Sequence, residues 1–512
     1  MSKRVIPESV WTIPSALDAW SAVQPEAPAL TQGGQTINYR ELRDKVHRTV
    51  SGLSHAGVGP GDRVVLVGVN SIDWVVAYLA ILRMGAVVVP TNSRLSEQQF
   101  ADQCSMLGAV LVLHGVEHRE LVAAASTENR TIRALTDLMN GGDHDEATVD
   151  IDLPDGDALA MVSFTSGSTG VPKGAMLTHS ALANGSRAFK DLMGSGPADS
   201  TLILVPMFHN TGFVDQLGHM ILAGGHTHLL ARFTTADAVA EFAERPVTFV
   251  TAVPSILRLL MVAEDADHVF SEAKVVVFGG SPMPAAWTQE LLHRWPHLRL
   301  IHGYGLTEFT SACTFLPSEL VATRGESVGV PAPGVALKIV DSEGRQVGVG
   351  VEGEVLLSGP TLMLGYWCQP ELTAEKLRDG WLRTGDLGHL DDEGLLWLSG
   401  RVDDVINRGG EKVLPAHVES CLAEYPEVSD AVVFGYADPI LQNRVAAAIE
   451  LRSGHYFDGS EIRRRLLLRL PDYAVPESWV IYEHLPRTAS GKVDRLEVSR
   501  RWQATAELAT TD

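Results

Sequence analysis

Hydrophobic positions in this chain fall into short continuous runs that alternate with stretches of helical periodicity. Asn38 with Glu41 three residues on reads as a capping box. Tyr39, Leu42, Val46, Val50 and Leu53 then recur at helical spacing until Gly57 and the turn GPGD (59–62) stop the helix. DRVVLVGV follows as a buried strand, SIDWVVAYLAILRMG as a helix and AVVVP as the next strand, a βαβ unit that implies parallel pairing. The strand signal returns at ALAMVSF (158–164), VTFVTAVP (247–254), AKVVVFGGSP (273–282) and LRLIHGYG (298–305), each run ending in a polar or glycine-rich turn. Turns of that kind lie at the C-terminal ends of strands, where open α/β sheets place their ligands. From about residue 326 the pattern shortens to strands and turns (GVALKIVDSEG, GEVLLSG). After GLLWLSGRVDD (394–404) a compact α+β unit is predicted, with strands near 430–436 and 444–451 and a basic amphipathic helix EIRRRLLLRL. The expected fold is α/β: a large N-terminal domain (1–402) of two α/β subdomains and a β-rich subdomain, then a small α+β C-terminal domain (403–512).

Composition narrows the setting. At 512 residues, 45% apolar and 20% charged, the chain is a folded protein too long for one ordinary core. Forty-one Lys and Arg against 63 Asp and Glu leave a net charge of −22, with no basic run to override it, so nucleic acid is not an expected partner. MSKRVIPESVWTIP lacks the apolar core of a signal peptide. WVVAYLAIL (74–82) stops at Arg83, short of the roughly 18 to 20 residues a membrane span needs. Cys104, Cys313, Cys368 and Cys421 form no CxxC, which points to a reducing compartment; a cytoplasmic protein without integral membrane association is expected.

The chemistry is concentrated in TSGSTGVPKG, 165–174. It resembles a P-loop but departs from one, because Pro172 precedes the lysine where glycine is required and Gly174 follows it where Ser or Thr is required. Glycines let the backbone curl so that N–H groups meet phosphate oxygens; Ser166, Ser168 and Thr169 add hydroxyl donors and Lys173 adds mobile positive charge. Four further segments follow: GYGLTE (303–308), RTGDLG (383–388), GRVDDVINRGGEKVLPAHVE (400–419) and PRTASGKVDR (486–495). Together they resemble, in order and over essentially the whole chain, the signature of the adenylate-forming (AMP-binding) superfamily. That superfamily contains acyl-CoA synthetases, non-ribosomal adenylation domains and firefly luciferase.

The resemblance implies ATP, Mg²⁺ and CoA, and it assigns roles by position. A carboxylate attacks the α-phosphorus of ATP and expels pyrophosphate, so the site must hold three phosphates and orient two anions that repel each other. Thr165, Ser166, Gly167, Ser168, Thr169, Gly170 and Lys173 would hold the β- and γ-phosphates. Glu308, with Thr165, would bind the metal and Thr307 would contact the α-phosphate. Gly279, Gly280, Ser281 and Pro282 would border the adenine, on which Tyr304 stacks, while Asp386 and Arg401 would bind the ribose hydroxyls. Lys492 would bridge acyl carboxylate and α-phosphate as a compact ammonium. The small domain would be mobile and rotate after adenylation about Asp403, or its neighbour Asp404, bringing Gly410 beside a pantetheine tunnel.

Substrate choice is less legible. VPMFHNTGF (205–213) matches a P-x-x-H segment whose His209 would stand between acyl pocket and pantetheine tunnel. Amino-acid-activating relatives usually carry an Asp where this chain has Asn210; Asp215 lies further on and could face the pocket, so an amino acid is disfavoured. The remaining wall, Phe208, Thr211, Val214, Ala252, Val253, Ser281 and Gly303, is mostly apolar or small and suits an uncharged acyl or aryl tail. About 20 residues follow Lys492, so a fused carrier domain is not expected. CoA is the expected acceptor, since INRGGEKV looks most like stand-alone acyl-CoA ligases; a separate acyl carrier protein is the alternative. PRTASGK also fits the context in which bacterial relatives are switched off by a protein acetyltransferase acting on this lysine, here Lys492. Lys492→Ala is predicted to abolish pyrophosphate release from ATP and acid while leaving thioester formation from a supplied acyl-adenylate intact, the two steps being assayed separately.

Overall fold

A computed structural model of the chain describes residues 12–127, 130–140, 152–165, 172–281, 283–408, 411–438, 440–487 and 493–509. By packing it divides into two units, Met1–Ala336 with Leu357–Leu382, and Leu337–Leu356 with Arg383–Asp512.

The first unit holds two sheets. The nine-stranded one runs in the order Val330–Pro331, Ala312–Leu316, Arg299–Gly305, Val275–Gly279, Phe249–Ala252, Ser200–Ile203, His226–Leu229, Pro28–Gln32 and Gln35–Asn38. Its interior pairings are parallel and its edges antiparallel. The seven-stranded sheet runs Gly365–Tyr366, Lys173–Thr178, Leu159–Thr165, Val87–Pro90, Arg63–Val67, Leu111–His114 and Thr131–Ala134. It too is parallel except at the Gly365–Tyr366 end.

Local sequence explains the helices that join these strands. The Asn38–Glu41 capping box forms: the Glu41 N–H donates to Asn38 Oδ1 at 2.8 Å and the Asn38 N–H to the Glu41 carboxylate at 2.9 Å, opening the helix Tyr39–His55. Ser71 caps the helix Ile72–Arg83 by accepting from the Trp74 N–H at 3.1 Å. Residues 74–82 of that helix are 1% exposed or less, and it touches strands of both sheets as well as Tyr39–His55. A helix enclosed on every side is apolar all round, which is the physical origin of WVVAYLAIL. Among the described residues no helix is long and apolar enough to cross a membrane.

In the second unit the strands Ala336–Val340, Gly353–Ser358, Trp381–Leu390 and Leu396–Arg401 belong to one sheet. A second sheet runs Glu411–Val413, Ile406–Arg408, Gln442–Leu451 and Val428–Asp438, with Ser478–Tyr482 parallel to Gln442–Leu451. Both of its faces are covered. Val445, Ala447 and Ile449 face Val418, Leu422, Ile462 and Leu466, while Ala446 and Ala448 face Val498. The helix expected at EIRRRLLLRL is Gly459–Leu466 and stops early. Ile462, Leu466 and Leu470 are buried whereas Leu467 and Leu468 are 43% and 79% exposed, so the chain leaves the helix to bring Leu470 back to the core before Pro471.

Leu79, fully buried in the central helix, sets a stability test. Leu79→Ala should lower unfolding free energy by about 2 to 5 kcal/mol, read as a fall in the urea midpoint of the first unit's transition.

Candidate functional site

Strand Arg299–Gly305 carries GYGLTE to the edge of the nine-stranded sheet and returns antiparallel as Ala312–Leu316, with a bulge between Tyr304 and Gly305. A Cβ at Gly305 would lie 2.2 Å from the Ser311 carbonyl oxygen, so only glycine closes the hairpin this tightly. Thr307–Phe309 forms one 3-10 turn and Thr310 follows at φ 65, a left-handed conformation that costs a β-branched residue energy. Its neighbours hold it there. Thr310 Oγ1 donates to the Thr361 carbonyl at 2.7 Å, and Asn210 Nδ2 donates to the Thr310 carbonyl. Ser311 Oγ donates to Asp215 Oδ1, and the Met363 N–H reaches the Glu308 carbonyl at 3.0 Å. Glu308 Oε1 accepts from the Tyr366 hydroxyl at 2.9 Å.

Thr165 and Lys173 are cross-strand partners that bracket the glycine–serine loop. Ser166, Gly167, Ser168, Thr169 and Gly170 lie outside the described residues, as do Pro282, Gly410 and Lys492. The loop's exit is joined to Glu308 through one segment: Tyr366 pairs with Ala175, the Trp367 N–H donates to the Gly174 carbonyl at 2.7 Å, and Gln369 Nε2 to the Pro172 carbonyl at 3.2 Å. Gly279 ends the neighbouring strand in register with Gly303; a Cβ there would lie 2.3 Å from the Gly303 carbonyl oxygen. Gly280 and Ser281 are exposed beyond it, and Tyr304 is half-buried.

The P-x-x-H segment leads into a π-helix, Thr211–Gly218, a rare geometry frequent at functional sites and absent from the sequence signal. Phe208 and His209 are half-buried with ring centroids 4.2 Å apart. Asn210, also half-buried, accepts from Ser163 Oγ at 2.8 Å while donating to Thr310. Thr211 and Val253 are half-buried and Gly303 buried, whereas Val214, 1% exposed, packs against Gly185 of the helix His179–Met193. Burial pushes the Asp215 carboxyl up to about 7, against hydrogen bonds from Ser311 and Thr211 that favour its charged form.

In the second unit the TGD turn is built on Glu354, which accepts from Arg383 Nε at 2.9 Å and from the Gly385 N–H at 3.2 Å. Thr384 Oγ1 donates to the Val355 carbonyl at 2.8 Å and accepts from the Asp386 N–H at 3.0 Å. Asp386 and Arg401 are cross-strand partners with their charges 3.6 Å apart, so the residues assigned to one sugar do meet. Asp403 is exposed, whereas Asp404 lies 3.6 Å from Arg495, whose guanidinium also holds Glu419 at 2.6 Å. The lysine segment is bracketed by a bridge between Arg487 and Val493. Tyr366, Thr310, Ser311 and Arg495 were not singled out from the sequence, since none lies at a position where a local motif signals its contacts.

Comparison with known proteins shows the family. The AMP-binding enzyme family matches residues 17–367 and the AMP-binding enzyme C-terminal domain matches 417–492. A feruloyl-CoA synthase of Amycolatopsis sp is 34% identical over 94% of this chain and 97% of its own. An indoleacetate–CoA ligase of Aromatoleum aromaticum is 30% identical over 94% and 96%. The o-succinylbenzoate CoA synthetase of Bacillus subtilis, solved with its acyl-adenylate intermediate, superposes with a TM-score of 0.85 at 27% identity, covering 94% of this chain and 97% of that one. The same enzyme has been solved with ATP and magnesium, with a TM-score of 0.86 at 27% identity over 94% and 99%. The chain belongs to the family of AMP-binding enzymes and is an AMP-forming acid–thiol ligase.

Proposed function

We propose that the acid this ligase activates carries an uncharged tail, aryl in preference to long-chain acyl. The reaction has two steps: the carboxylate attacks the α-phosphorus of ATP and expels pyrophosphate, then the thiol of CoA attacks the acyl carbon and expels AMP. The observation that carries the reading is Glu308, a carboxylate clamped beside the exit of an anion-binding loop. Among the described residues no group of three or more His, Cys, Asp or Glu could hold a metal by itself. Mg²⁺ is commonly held by one or two carboxylates together with substrate phosphates, and Glu308 would be that carboxylate. When bound, the metal neutralises phosphate charge.

The chain's own residues divide the remaining work. The glycine–serine loop and Lys173 take the β- and γ-phosphates, Thr307 the α-phosphate, Asp386 and Arg401 the ribose, and Gly279 to Pro282 with Tyr304 the adenine. Lys492 supplies the charge that lets the two anions meet, and its acetylation by a protein acetyltransferase would remove that charge. Asp403 is the pivot of a C-terminal domain beginning there, because Asp404 is tied to Arg495 while Asp403 is exposed. A chain whose four cysteines form no disulfide fits a cytoplasmic enzyme.

The preference for an uncharged tail follows from the two polar groups of the acyl segment. Asn210 and Asp215 are both bonded to the turn at Thr310 and Ser311, and the Asp215 carboxyl is held near neutrality at about 7, so neither offers a substrate ammonium a settled negative partner. The two relatives named for aromatic acids favour an aryl tail. Acyl-CoA formation measured over hydroxycinnamic, arylacetic, fatty and amino acids should be fastest with an aryl acid. Preferred turnover of an amino acid would overturn the substrate reading, and thioester formed only on an added carrier protein would replace CoA as acceptor.

Asp215 also sets a pH dependence. Its folded pKa lies above its ordinary value of 3.8, so the folded state binds the proton more tightly; the group's stabilising effect is full below about pH 4 and is lost as pH rises through about 7. Asp215→Asn should therefore gain stability relative to the parent as pH rises from about 4 to about 7 in denaturant unfolding, whereas a pH-independent difference would show an ordinary carboxyl.

A further inference from the structure

Glu308 has a long side chain, and a carboxylate that must meet a cation at one place gains from having its rotamers restricted beforehand. The Tyr366 hydroxyl does this by donating to Glu308 Oε1 at 2.9 Å, and from the same segment, 363–369, the Met363 N–H fixes the backbone beneath it by donating to the Glu308 carbonyl at 3.0 Å. The same segment is bonded along the strand leaving the glycine–serine loop. The Leu364 N–H donates to the Met176 carbonyl at 2.8 Å, the Trp367 N–H to the Gly174 carbonyl at 2.7 Å, and Gln369 Nε2 to the Pro172 carbonyl at 3.2 Å. Tyr366 is itself packed and anchored: it is 5% exposed, and its N–H donates to Thr373 Oγ1 at 2.8 Å. Next to it the Trp367 indole donates to the Met106 carbonyl at 3.2 Å beneath the Arg63 guanidinium.

We propose that Tyr366 is a positioning residue, whose hydroxyl, presented from the segment that also grips the exit of the phosphate loop, sets the Glu308 carboxylate where it meets nucleotide-borne Mg²⁺. This rests on the reading of Glu308 as the metal-facing carboxylate. A phenol that merely fills space would be replaced without loss by phenylalanine, because the ring is kept. A phenol that orients the carboxylate would not, because a bond to a charged acceptor is lost while the packing stays. Outer partners of metal-ligating groups of this kind are worth tenfold or more in metal affinity.

The experiment is equilibrium binding of ATP to the full chain, by calorimetry, with Mg²⁺ titrated from zero, for the parent, Tyr366→Phe, Glu308→Gln and the double variant. Tyr366→Phe is expected to melt within a few degrees of the parent and bind ATP equally without Mg²⁺. It should need about tenfold more Mg²⁺ for half-maximal enhancement of ATP binding, with the KM for the acid unchanged. Glu308→Gln should raise the same requirement at least as far, with the double variant no worse, since both changes remove one interaction. Should Tyr366→Phe be too unstable to assay, Thr373→Val, which loosens the Tyr366 backbone, is expected to shift the Mg²⁺ requirement in the same direction. A normal requirement in Tyr366→Phe beside a raised one in Glu308→Gln overturns the role of Tyr366 alone. A normal requirement in Glu308→Gln overturns the reading of Glu308, and the proposal with it.

Discussion

The turn 306–311 is one of the ties between the two sheets of the first unit. It leaves the nine-stranded sheet as the end of Arg299–Gly305, and its Glu308 is gripped by Met363 and Tyr366, the latter paired into the seven-stranded sheet through Ala175. On the proposed reading a carboxylate from one sheet and a loop from the other must work on the same phosphates. The strained Thr310 is the local cost of the turn, and the bonds from Asn210 to Thr310, from Thr310 to Thr361 and from Ser311 to Asp215 offset it.

Those same bonds, on the proposed reading, link acid choice to nucleotide handling. Asn210 and Asp215 sit on the segment that follows His209, yet their side chains reach the turn carrying Thr307 and Glu308. On the proposed reading the polar groups of the acyl side serve the phosphate side, and an acid without a charge of its own suits such a segment. The protein's overall charge of −22 gives no help in drawing in ATP, so on the proposed reading phosphate binding falls to backbone N–H groups, hydroxyls and a few cations.

Much of this was legible in the sequence because its signals are local. The capping box at Asn38, the βαβ unit from Arg63 to Pro90, and the strands ending in GGSP and GYGLTE depend on residues within a few positions of each other, and each forms as read. The features that escaped depend on distant partners. Nothing near Tyr366 announces that its hydroxyl meets Glu308, and nothing near Ser311 announces Asp215. The early end of the helix Gly459–Leu466 reflects where Leu470 must pack, which a run of leucines and arginines does not reveal. Asp386 facing Arg401 was readable only as two motifs, their juxtaposition being a matter of strand register.

The central claim is that the acid is first joined to AMP and only then to a thiol. The most direct test is exchange of labelled pyrophosphate into ATP by the parent enzyme, with the preferred acid present and CoA absent. Rapid exchange that requires the acid and proceeds without CoA is the predicted result. Exchange that appears only when CoA is added would contradict the two-step account.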